Sequence, residues 1–87
     1  MRKITIETPV VLMKIKGNHK KIASMLKTTE IVTYEKQLDQ TFIVVKTENI
    51  DGIDLKVAED YKEVLGLTES DFVSRQFSKN GIDFFIK

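Results

Sequence analysis

Eighty-seven residues, 41% hydrophobic and 31% charged, are enough for one folded domain over 1–87, too few for two independent cores and too apolar for a disordered chain. The absence of cysteine and the single His19 exclude a disulfide framework, a thiolate zinc site and a histidine-rich metal site, and nothing calls for a cofactor. The longest apolar run, Val10 to Met13, is far short of the roughly 20 residues that span a bilayer, and the chain opens without a signal-peptide pattern, so a cytoplasmic protein with no membrane partner is expected.

The net charge of +1 hides an asymmetry. Residues 1–29 carry seven cations (Arg2, Lys3, Lys14, Lys16, Lys20, Lys21, Lys27) against Glu7 alone, and the remainder carries seven cations against twelve acids. Such polarisation steers an acidic partner to the first third, or a second copy head to tail as a homodimer, unless the fold neutralises it internally. The Lys, Ile and Asn bias is that of AT-rich genomes, as in low-GC bacteria and their phages.

Arg2 to Glu7 alternates at period two and stops at Thr8-Pro9; Val10 to Lys16 is a second β-rich run ended by Gly17. Asn18 is a good N-cap, and Ile22, Met25 and Leu26 give His19 to Lys27 an amphipathic helical stripe. Ile31 to Gln37 and Thr41 to Thr47 read as strands joined by a turn at Leu38-Asp39-Gln40. After the polar turn Glu48 to Gly52 come a short strand near Ile53 to Val57 and a helix on Val57, Tyr61, Val64 and Leu65, closed by Gly66. Phe72 to Ser78, Asn80-Gly81 and Ile82 to Lys87 predict a type I′ hairpin; the alternative is a third helix, Glu69 to Ser78, started by a capping box of Thr68 and Asp71.

Setting Ile31 over Phe72 aligns Thr29 to Thr33 with Ser70 to Ser74, Asp39 with Asn80, and Ile43 to Lys46 with Phe84 to Lys87. This predicts helix plus hairpin twice, related by a pseudo-twofold. The expected class is therefore α+β, two short helices with β-hairpins in an antiparallel or mixed sheet, with a ferredoxin-like plait as the competing architecture.

Counting outward from two-residue turns at Asp39-Gln40 and Asn80-Gly81 puts Val32, Tyr34, Leu38, Ile43, Val45, Val73, Phe77, Ile82, Phe84 and Ile86 on the core face. The opposite face carries Glu35, Phe42 and Val44, with Gln76 and Phe85 from the second hairpin. Aromatic anchors in a polar rim suit a protein-binding surface. The second candidate is Lys14, Lys16, Asn18, His19, Lys20 and Lys21, where cations gathered at a helix N-terminus suit an anion, either acidic side chains or nucleic-acid phosphate. No catalytic residues are assigned: His19 has no cysteine and no obvious serine partner, and the carboxylate pairs lie beside turns or on an exposed helix face.

Thr41 to Lys87 resembles the AbrB and antitoxin type of swapped-hairpin DNA-binding domain. The shared features are strand Thr41 to Thr47, the turn Asp51-Gly52, strand Ile53 to Val57, the helix ending Val64-Leu65-Gly66-Leu67, the acidic loop Thr68 to Asp71 and the closing hairpin. The family's strand-to-helix proline and DNA-contacting arginines are absent, with Lys46 and Lys56 among Glu48, Asp51 and Asp54 instead. The resemblance implies a dimeric DNA-binding regulator. The residues themselves lead instead to a small non-catalytic regulator or inhibitor that binds another protein, of the anti-defence or antitoxin-like kind that phages and mobile elements carry.

Overall fold

A computed structural model describes residues 2–86 and shows an α+β fold with two helices and six strands in two antiparallel sheets. Strands β1 (Arg2–Ile6), β2 (Val10–Lys16), β3 (Thr29–Glu35), β4 (Gln40–Lys46), β5 (Phe72–Ser78) and β6 (Ile82–Ile86) are interrupted by helices α1 (Lys20–Ser24) and α2 (Ile53–Leu65). The larger sheet has four strands in the order β3-β4-β2-β5, and β1 pairs with β6 as a separate two-stranded ribbon. The element order β2-α1-β3-β4-α2-β5 is that of the plait alternative, but neither expectation contained the ribbon.

The period-two pattern of β2 works on both faces. Val11, Met13 and Ile15 join Ile43 and Val45 of β4 under the helices, packed against Ala23 of α1 and Val57, Ala58, Tyr61 and Leu65 of α2. The alternate residues Val10 and Val44, with Ile31, meet Ile6 of the ribbon, and half-buried Ile4, Leu12, Phe42, Ile82 and Phe84 surround them. The central sheet thus lies between a helical layer and a β layer. Each fully buried Val or Ile contributes roughly 1.5–3 kcal/mol relative to exposure, so both faces matter to stability.

Helix α2 starts at Ile53, which corrects the expected strand at Ile53 to Val57: the apolar positions Val57, Tyr61 and Leu65 follow a helical period, and the first turn belongs to it. It ends as expected at Gly66, left-handed at φ 68°, with Leu67 N–H donating to the Lys62 carbonyl at 2.8 Å. The Tyr61 hydroxyl lies 2.8 Å from Thr28 Oγ1 and 2.6 Å from Thr29 Oγ1, which ties α2 to the start of β3.

Helix α1 is one short piece of five residues, not His19 to Lys27, and buries Ala23. Ile22 and Met25, expected in its buried stripe, are 48% and 74% exposed. So short a helix can lay only one small residue flat on the sheet.

The first hairpin forms, but with Glu35 opposite Gln40, so the turn is Lys36 to Asp39 and Leu38, expected in the core, is exposed at its tip. The second does not form a ladder. β5 pairs with β2 and β6 with β1, so Lys79-Asn80-Gly81 is a corner that carries the chain from one sheet to the other. The proposed third helix reduces to a 3-10 turn, Glu69–Asp71, held by the Thr68–Asp71 capping box, after which the chain enters β5. With unequal helices and only one laddered hairpin, the pseudo-twofold repeat is not confirmed. Lys87 and the side chain of Ile86, both invoked in it, lie outside the described residues.

Candidate functional site

The face expected to carry a partner through Phe42, Val44 and Phe85 does not exist as one surface. Val44 is fully buried beneath the ribbon, and the half-buried Phe42 ring stacks on Phe84 at 5.5 Å between centroids and 15° between planes. Because Phe84 points inward, its neighbour Phe85 points outward, 58% exposed, on the far side of the ribbon. There it lies opposite Lys3, near the 3.5 Å ion pair of Lys3 with Asp83. The apolar residues on a polar strand face signalled a second layer, supplied by β1 and β6. Glu35 and Gln76 remain exposed, on β3 and β5 at opposite edges of the larger sheet. By strand alternation they share a face with Lys14 and Lys16, which stand between them on β2.

The Lys14 to Lys21 cluster is divided by the sheet. Lys14 and Lys16 project from the ribbon side, opposite Phe42 and Gln40, whereas Lys20 and Lys21 stand on α1, whose Ala23 packs on the helical side. Two observations count against an anion held by the backbone amides at the start of α1, while Lys14, Lys16, Lys20 and Lys21 stay exposed. A five-residue helix sums little dipole, and two of the amides that would hold an anion are already used. His19 N–H donates to Thr41 Oγ1 at 2.8 Å, and Lys20 N–H donates to Asn18 Oδ1 at 3.2 Å. Thr41 is fully buried and donates in turn to the Gly17 carbonyl at 2.6 Å, while His19 Nε2 lies 3.0 Å from the Lys16 carbonyl, a geometry in which Nε2–H donates. Asn18 and His19 therefore shape the loop. Thr41→Val leaves the His19 amide and the Gly17 carbonyl without their partner and is expected to cost about 1–3 kcal/mol, read from the urea midpoint.

Electrostatically, the basic third is not neutralised by contact. Ion pairs among the described residues join Lys3 to Asp83, Lys46 to Glu30, Lys62 to Glu59 and Glu69, and Arg75 to Glu69. Only Lys3 belongs to the first third; Lys14, Lys16, Lys20, Lys21 and Lys27 are exposed and form no ion pair among the described residues. Asp71 has its pKa held down first by the Thr68 backbone N–H, then by the Thr68 hydroxyl and, at longer range, by Lys16 and His19 of this region. A carboxylate whose folded pKa lies below its unfolded value adds stability above the unfolded pKa, and this is lost as pH falls through the folded one. Asp71→Asn is therefore expected to remove part of the decline in stability below about pH 4, measured as urea midpoints against pH.

A shallow cavity of about 250 Å³ opens beside β5, lined by Glu69, Phe72, Val73, Ser74 and Arg75. Arg75 both pairs with Glu69 and sits over the Phe72 ring at 5.8 Å, so its charge is engaged. Ser74 is the sole hydroxyl among these residues and has no histidine beside it in the lining. Among the described residues no three His, Asp or Glu side chains gather to hold a metal. The exposure of Ile22 and Met25 departs from the expected buried stripe, because α1 spans only five residues and Ala23 takes its buried position.

Fold and surface together define a small α+β domain with an open basic flank and no helix long and apolar enough to cross a membrane among the described residues. No protein family, curated protein or solved structure matches the chain.

Proposed function

We propose that this protein is a small non-catalytic regulator or inhibitor that works by docking its basic first third on another protein. The observation that carries this reading is the set of exposed lysines, Lys14 and Lys16 on the ribbon side and Lys20, Lys21 and Lys27 on and after α1, without ion-pair partners among the described residues although the rest of the chain is rich in acids. Acids are exposed on α2, at Glu59, Asp60 and Glu63, but Glu59 pairs with Lys62 of the same helix and none of the three forms an ion pair with these lysines. A charge separation the fold does not cancel raises the rate and selectivity of association with a complementary surface. The size, the single domain and the lysine-rich bias suit a phage or mobile-element product of the anti-defence or antitoxin-like kind.

The same lysines would also favour phosphate, which keeps DNA binding as the second reading. Supports for the AbrB-like version of it are reduced, because Ile53 to Val57 is the first turn of α2 and β6 does not pair with β5. The two readings separate on salt and on partner. Tagged protein is passed through a nuclease-treated lysate of its host, beside a mobility-shift assay with duplex DNA at low and physiological salt. A stoichiometric protein partner without a DNA shift is the expected result. A salt-sensitive DNA shift with no protein partner overturns the proposal.

A further inference from the structure

We infer that Ile22 and Met25, framed by Lys20, Lys21 and Lys27, form the docking site for an acidic amphipathic helix of the partner protein, an inference that rests on the protein-binding reading above. Positions 22 and 25 are neighbours on a helical surface, and Lys21 stands one turn before Met25. Met25 N–H, at the C-cap of α1, donates to the Ile22 carbonyl at 3.0 Å, so this turn is formed and holds two exposed apolar side chains three positions apart. Their exposures of 48% and 74% arise because Ala23 takes the inward position. The platform is anchored from below by the His19 amide on the buried Thr41 hydroxyl and by Ala23 in the helical core.

Charge decides the occupant. From Thr8 to Thr29 there is no acidic residue, and Lys20, Lys21 and Lys27 are exposed with no ion pair among the described residues. The complementary ligand is acidic at its rim and apolar at its centre, as an amphipathic helix with leucines on one face and glutamates beside them would be. Lys20, Lys21 and Lys27 lack the guanidinium fork that reads guanine and pairs bidentately with phosphate, so the cations of this face do not by themselves favour nucleic acid over an acidic protein. A membrane surface calls for a longer apolar face than one turn provides. Methionine, unbranched and polarizable, suits an adaptable contact with such a helix.

The test is a titration of isotope-labelled protein followed by amide chemical shifts. The probe is a synthetic peptide of about four helical turns with leucine at i, i+4 and i+7 and glutamate on the flanks. A scrambled peptide of the same composition, phosphatidylserine vesicles and duplex DNA are titrated in parallel. The expected result is saturable shifts at Lys20 to Leu26 with the patterned peptide, weaker binding of the scrambled one, and about a tenfold loss of affinity in Ile22→Ser plus Met25→Ser. Both residues are exposed, so the remaining spectrum of the variant should match the parent. The inference is overturned if the variant binds as tightly as the parent, if both peptides bind alike, if only vesicles or DNA perturb α1, or if no probe does. In the lysate experiment, a partner still captured by the double variant leaves the protein-binding reading standing and removes this site. Loss of every protein partner in favour of DNA removes both.

Discussion

Gly81→Ala is expected to lower the free energy of unfolding by at least about 3 kcal/mol, a large share of what a domain of this size possesses. At the corner between β5 and β6 the Gly81 φ is +84°, and a Cβ there would lie 1.8 Å from the Ile6 carbonyl oxygen and 3.0 Å from that of Thr8. The obstacle is backbone, so relief requires β1 to move, and β1 is the only ladder partner of β6 among the described residues. Gly66→Ala is the control. Its φ of +68° is equally left-handed, but no atom lies within 4 Å of the added Cβ, so only about 1 kcal/mol is lost. Urea denaturation of the two variants separates the close approach from the dihedral cost.

Val44→Asp is expected to abolish folding, costing more than about 4 kcal/mol, because it places a carboxylate without a partner between the central sheet and the ribbon. Phe85→Ala, on the outer ribbon surface, should stay within about 1 kcal/mol. A docking face of the kind expected from the sequence would tolerate both changes in the folded protein. The pair therefore tests the layering itself, read by circular dichroism and urea midpoints.

These residues also show how far the sequence is legible. Local alternation located the strands, and helix punctuation located the end of α2 at Gly66, because both depend on neighbours along the chain. Which strand pairs with which depends on distant ones. Asn80-Gly81 announces a reversal but does not say that Ile82 and Phe84 will find Val10, Phe42 and Val44 across a layer instead of β5 beside them. The segment Ile53-Asp-Leu-Lys-Val57 alternates like a strand, and only the continuation through Tyr61 and Leu65 fixes its helical phase. At the candidate site, the lysines were legible as a cluster, but their division across the sheet depends on which face of β2 receives α1, and the exposure of Ile22 and Met25 on Ala23 taking the inward position, both set by packing against distant strands.

The most direct test of the account is the double charge reversal Lys20→Glu plus Lys21→Glu, scored for both stability and partner capture. If these lysines await an external acidic surface, the urea midpoint stays the same or rises slightly, since acids are welcome in a first helical turn, while the protein partner is no longer captured. A clear fall in the midpoint with the partner still bound would show that their charge serves the fold, and would contradict the account.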